Sequence, residues 1–247
     1  MKRIVVVGAT SAIAEHCCRL WVEREPVDLV LVVRDRSRAE RIVADLRGRG
    51  PKSRVRVEQV DFLSASEIGA LVDRLSSEGP IDVALIAHGL LLPQRLCQQD
   101  IANVQETIAV TALSPVLFAE AFAKVMEPVG RGSLGLIGSV AGDRGRRVNY
   151  TYGASKALMN AYAQGLQHRF AGTDVKVVLL KPGPTDTPMA APHKAAGRRL
   201  ASVEEVARGT VHALDRGRAV AYLPPRWRLI MFVVRSLPAF IFNRLNI

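Results

Sequence analysis

A tyrosine and a lysine stand four residues apart at Tyr152 and Lys156, and Ser139 lies thirteen residues before the tyrosine. On a helix that spacing is about one turn, so phenol and ammonium would share a face. A nearby cation eases ionisation of a phenol, which suits a tyrosine that lends its proton to a reacting oxygen. Tyr-x-x-x-Lys also occurs in helices that do no chemistry. The pair therefore gains meaning only if the rest of the chain brings it to a cofactor.

The elements that must do so alternate along the chain. Residues 4–7 form a β-branched run ending at Gly8, and a helical pattern then continues to about Arg24. A strand, a glycine turn and a helix N-terminus offer backbone N–H groups and a helix dipole to a phosphate, although an ordinary strand-to-helix turn reads the same way. Ala12 and Ala14 occupy the places of the two later glycines of a dinucleotide fingerprint. Alanine is small enough for close packing but restricts the backbone more. Further strands are expected at 29–33, 55–60, 83–87, 134–138, 175–180 and 219–223, and helices at 37–47, 66–75, 100–126 and 152–170. Ser202 with Glu205 makes a capping box for a last helix ending near Asp215. This order predicts an α/β, doubly wound fold, with about seven parallel strands and helices on both faces. Ligands bind beyond the carboxyl ends of such strands, where Gly8, Arg34, Asp61, Ala87 and Ser139 fall.

Arg34 directly follows the second strand. An acid there would bond a ribose hydroxyl and repel an added phosphate, whereas an arginine does the reverse. Arg34, with Arg36 or Arg38, thus favours NADP over NAD, against the alternative of a solvated basic loop and with Asp35 adjoining.

The apolar fraction of 49% over 247 residues supports one large globular domain. The formal charge of +11 points to an anionic partner, ranked as phosphate or acidic lipid before nucleic acid, because no aromatic-basic module is present. Cys17, Cys18 and Cys97 show neither disulfide nor metal-ligand spacing, so a reduced, cytoplasmic setting and no metal are expected. The apolar opening is too short for a signal peptide.

Taken together, GATSAIA at 8–14, Asp61-Phe62, Ala87-His88-Gly89, Ser139, Tyr152-x-x-x-Lys156 and Pro182-Gly183 resemble the short-chain dehydrogenase/reductase family over about residues 2–225. The resemblance implies an NAD(P)-dependent oxidoreductase with a Rossmann fold that forms a homo-oligomer. By its pattern Gly8, Thr10, Ser11 and Ile13 would line the dinucleotide phosphates, Asp61 and Phe62 the adenine, and Ala87 and Gly89 the ribose. Pro182, Gly183 and Thr187 would meet the nicotinamide. Ser139, Tyr152 and Lys156 would be catalytic: tyrosine the proton donor, lysine lowering its pKa and holding the ribose, serine on the carbonyl oxygen. The chain departs from the pattern at Ala87 and His88 in the Asn-Ala-Gly trio. It departs also in the fourth helix, where Ala109 is aligned with an asparagine that supports a proton relay; His88 is expected to pack at the strand end.

Residues 142–152 and the C-terminal stretch further resemble a subgroup, the reductase subunits of decaprenylphosphoryl-ribose epimerases. Such reductases reduce a keto-pentose on a polyprenyl phosphate with NADH or NADPH, after a flavin-dependent oxidase partner has acted. Arg144, Arg146 and Arg147 could clamp the substrate phosphate, or form a solvated loop. From residue 219 to the end no acid occurs, while Arg226, Arg228, Arg235 and Arg244 interrupt apolar stretches with Trp227, Phe232, Phe240 and Phe242. These stretches are too short to span a bilayer. A basic amphipathic tail over 226–247, behind a single domain over 1–225, is expected to lie on the inner face of the cytoplasmic membrane; packing on the body or across a dimer is the rival reading. Reduction of another lipid or keto-acyl substrate, and cofactor sensing without turnover, are the alternative functions.

Overall fold

The computed structural model describes residues 1–195, 197 and 199–245. The strands β1 (Lys2–Val7), β2 (Val27–Val33), β3 (Arg54–Gln59), β4 (Val83–Ile86), β5 (Arg131–Ile137), β6 (Asp174–Pro182) and β7 (Val220–Leu223) form one seven-stranded parallel sheet. Its order is β3-β2-β1-β4-β5-β6-β7, and every pairing is parallel. The order reverses between β1 and β4, which opens a crevice at their carboxyl ends.

Valine-rich strands bury both faces, as a parallel sheet requires. In β1, Ile4 and Val6 face one helical layer while Val5 and Val7 face the other. The first layer is α1 (Ala12–Arg24), α2 (Ser37–Arg49) and α9 (Val203–Asp215); the second is α3 (Ala65–Ser77), α6 (Ser114–Met126) and α7 (Tyr150–Arg169). Ser202 caps α9 by accepting the Glu205 N–H at 3.1 Å. Cys17, Cys18 and Cys97 are buried free thiols, and burial pushes the first two well above the ordinary thiol range.

The helix expected over 100–126 is divided. After α4 (Gln94–Gln99) come α5 (Ile101–Ile108), a π-helical turn over Ala109–Leu113, and then α6. Pro115 has no N–H to return to the carbonyl four residues back, and the Ser114 N–H reaches Ala109 O instead, which widens the turn. The stretch Ile101–Met126 is long and apolar enough to cross a membrane, but half of it is buried. It is a core helix, with Phe118, Phe122 and Met126 set into the second layer; truncating Phe118 to alanine would cost about 3–5 kcal/mol. Beyond β6 lies the short α8 (Ala191–Ala195), and beyond β7 the tail folds as α10 (Trp227–Ser236) and α11 (Ala239–Phe242). Met231 of α10 is fully buried against the body, whereas Leu229, Phe232, Val233 and Phe240 are exposed.

Candidate active site

The turn after β1 forms a cradle. Gly8 has φ +75°, and a Cβ there would fall 2.7 Å from the His88 Cβ and 2.8 Å from its backbone nitrogen. Only glycine lets this turn pass beside the loop after β4. The Ser11 N–H donates to Gly8 O at 2.9 Å. The Ser11 side chain does not cap α1, so its hydroxyl stays available at the helix start. Thr10 is exposed beside it, and Ile13 sits in the first turn of α1, where backbone N–H groups lack intrahelical partners. Glu15 would oppose an anion here, but Arg19 at 2.6 Å and Arg41 at 3.1 Å neutralise its carboxylate.

Arg34 emerges exposed from β2, its guanidinium 5.9 Å from the Phe62 ring centre. It borders a cavity of about 530 Å³ lined by Arg34, Gln59, Val60, Asp61 and Glu67. Asp35 turns away and accepts from the Ser37 N–H and hydroxyl, bonds that hold its carboxyl below the usual range. Asp61 is exposed at the cavity, accepting from the Leu63 N–H at 2.9 Å. Phe62, expected at the adenine, is 3% exposed and turns its ring into the core against His88 and Phe118. Its side chain therefore cannot line a ligand on the Asp61 side; only its backbone can. The His88 ring packs at the strand end and pairs with the Ser114 hydroxyl at 2.8 Å. Burial first, then the Lys156 and Arg34 charges, push its pKa down to about 3, so it is neutral.

The candidate catalytic trio, Ser139, Tyr152 and Lys156, converges at the carboxyl ends of β4 and β5. Ser139 follows β5, its hydroxyl accepts from the Ala141 N–H at 3.1 Å, and it lies near enough to the Tyr152 phenol to favour the ionised form. Tyr152 lies in the first turn of α7. Gln94 of α4 fixes that turn, accepting the Thr151 N–H at 3.0 Å and donating to its hydroxyl at 2.9 Å. Burial raises the phenol to about 12, with the nearby Ser139 hydroxyl opposing it. Lysine was expected to lower the phenol; in the structure its ammonium instead donates to Ile137 O at 2.7 Å, and burial lowers the lysine to about 7. The phenol meets desolvation without a close, fully charged partner, which is why its pKa moves up.

Ala87 is nearly buried and donates its N–H to Val7 O at 2.9 Å. A Cβ on Gly89 would lie 3.6 Å from both Lys156 Nζ and the Thr111 methyl. Thr111, not residue 109, is thus the polar side chain that the π turn brings beside the lysine. Its hydroxyl accepts from the Leu90 N–H and donates to Leu90 O, both at 2.9 Å, pinning the loop after β4. Sequence reading missed it because the extra residue of the π turn shifts the helical phase.

On the other flank, Pro182 ends β6 and Gly183 donates to Leu223 O at 2.9 Å. Thr187 is half-buried, with no bond capping the turn that follows. Lys181, unremarked in the sequence, forms a buried pair with Asp143 at 2.5 Å, and the Tyr222 phenol donates to the same carboxylate at 2.7 Å. A lysine inside the apolar run before Pro182 was its only sequence signal. Two of the three loop arginines have neighbours in the tail. Arg144 donates to Val234 O and Leu237 O, both at 2.6 Å, and Arg146 lies 3.4 Å from Met231 Sδ. The orphan carbonyls and negative dipole at the end of α10 attract Arg144 more specifically than solvent does. Arg147 alone of the three is fully exposed.

A dinucleotide fits these residues: a cradle that a Cβ would fill, an uncommitted hydroxyl at the start of α1, and a polar cavity at the end of β2 that Arg34 borders. Comparison with known proteins agrees. A family model described as short chain dehydrogenase matches residues 2–197. An uncharacterized oxidoreductase of Mycobacterium tuberculosis is 31% identical over 243 residues, covering 98% of this chain and 96% of that one. Among solved structures, a short chain dehydrogenase/reductase family protein has a TM-score of 0.75 at 28% identity, covering 90% of this chain and 95% of its own. An actinorhodin polyketide ketoreductase variant solved with NADPH superposes with a TM-score of 0.78 at 22% identity, covering 90% and 95%, and speaks for the fold alone.

Proposed function

Because the chain belongs to the short-chain dehydrogenase/reductase family and is an NAD(P)-dependent oxidoreductase, we propose that it is an NADPH-dependent ketoreductase of a polyprenyl-phosphate-linked keto-sugar. It would carry out the reductive half of a 2′-epimerisation begun by a flavin-dependent oxidase. The observation that carries the ketoreductase reading is the gathering of Tyr152, Ser139 and Lys156 at the carboxyl edge of the sheet, with the Lys156 ammonium 5.8 Å from the Tyr152 ring centre.

Bound NADPH supplies the hydride to the carbonyl carbon. Tyr152 gives its phenolic proton to the carbonyl oxygen, so the C=O becomes CH–OH and the phenolate is left to be reprotonated. A phenol raised to about 12 carries its proton near neutrality, and the burial that raises it makes it a weaker acid than a free tyrosine. The Ser139 hydroxyl, steadied by the Ala141 N–H, donates to the same oxygen as charge gathers on it. Arg34, with Asp35 withdrawn onto Ser37, supports a 2′-phosphate on the cofactor.

The substrate reading draws support from the tail. Leu229, Phe232, Val233 and Phe240 face outward among Arg226, Arg228, Arg235 and Arg244, which suits the inner surface of the cytoplasmic membrane and a lipid-borne substrate there. NADPH absorbance followed with the flavin oxidase and a prenyl-phosphoryl pentose present tests the reaction. Steady consumption of NADPH is expected; none, despite confirmed cofactor binding, removes the proposed substrate.

A further inference from the structure

Trp227 and Arg144 tie the tail to both loops that flank the site. The Trp227 indole occupies the space a side chain on Gly183 would need: a Cβ there would fall 2.0 Å from Nε1 and 2.2 Å from Cε2. Gly183 stands directly after Pro182, at the flank assigned to the nicotinamide. On the other flank, Arg144 belongs to the loop between Ser139 and Tyr152. It holds the Val234 and Leu237 carbonyls at the end of α10 and stacks on the Phe242 ring, 3.8 Å from its centre.

One segment thus grips both sides of the pocket with its inner face. Its outer face carries Leu229, Phe232 and Val233, with Phe240 beyond, and the tail holds four arginines and no acid. Apolar side chains set among guanidinium groups, without a carboxylate, complement an anionic phospholipid surface. We propose that the tail couples the two faces: docking on an anionic bilayer tightens NADPH binding, and bound NADPH tightens docking. The coupling rests on the membrane reading above. Two ligands that order the same segment bind cooperatively, and thermodynamic linkage makes the factor equal in both directions.

The full chain is titrated with NADPH by cofactor fluorescence, alone, with phosphatidylcholine vesicles, and with vesicles containing phosphatidylglycerol. Vesicle co-sedimentation is measured with and without NADPH. Anionic vesicles are expected to lower the Kd for NADPH about five-fold or more, with the same factor appearing in vesicle binding. Phe232→Ser should lose vesicle binding and keep the vesicle-free affinity for NADPH. Arg144→Gln and Trp227→Leu should each still bind vesicles while the two affinities become independent. Wild type that binds anionic vesicles with an unchanged Kd for NADPH overturns the coupling and leaves the membrane reading standing. Failure to bind them at all overturns the membrane reading and the coupling with it.

Discussion

The Lys156 ammonium meets the Ile137 carbonyl oxygen at 2.7 Å and stands 5.8 Å from the centre of the Tyr152 ring. The lysine is anchored to the end of β5, whereas the phenol lies beside Ser139, so each of the two groups has its own neighbour. This separation divides their expected behaviour on substitution.

Tyr152→Phe removes the proton donor and little else. Turnover should fall by about 10²–10⁴, while NADPH affinity, read by cofactor fluorescence, stays at the wild-type value. Turnover retained near wild type would exclude the phenol as donor.

Lys156 gives the protein a pH-dependent stability. Burial lowers its pKa from 10.5 to about 7, so between these values the unfolded chain holds a proton that the folded chain lacks. Stability from this group therefore rises with pH through that window and is lowest below about 7. Thermal scans of the cofactor-free protein should show this rise, and Lys156→Met should flatten it. Identical slopes for both proteins would refute the assignment.

The Lys181–Asp143 pair is almost wholly enclosed, with side-chain exposures of 7% and 2%. Lys181→Met strands a buried carboxylate and should cost about 3–5 kcal/mol, measured by urea unfolding. Combining it with Asp143→Leu should recover part of that loss, because the stranded charge goes too. If the double variant loses the full sum of the two single losses, the pair is not coupled.

Arg34 sets the choice of dinucleotide in this reading. Arg34→Ala removes charge-assisted bonds to a phosphate and should weaken NADPH about ten- to a hundred-fold, leaving NADH binding unchanged. Equal weakening of both cofactors would mean that Arg34 does not contact the distinguishing phosphate.

The sheet was legible because its strands are short β-branched runs punctuated by glycine and polar turns, and this local signal survives folding. Convergence of Ser139, Tyr152 and Lys156 followed from placing them at strand and helix ends. What escaped reading depends on long-range partners. Nothing near Gln94 announces that it holds the start of α7, fifty-seven residues on. Arg144 looked like a phosphate clamp because its sequence neighbours are basic, but its partners lie ninety and ninety-three residues away. Phe62 was assigned by its place after Asp61, and the strand-end turn instead sends its ring inward. Thr111 was hidden by a helical phase that Pro115 disturbs.

The buried thiols have a practical consequence. Cys17 and Cys18 are fully enclosed, Cys97 is nearly so, and none lies in the tail. A thiol stays inert when enclosed and protonated. A single cysteine introduced at an outward tail position such as Phe232 should therefore take a maleimide dye selectively against the native background. The wild-type sequence is in that sense already a labelling scaffold, ready to report in real time where its own C-terminal segment sits.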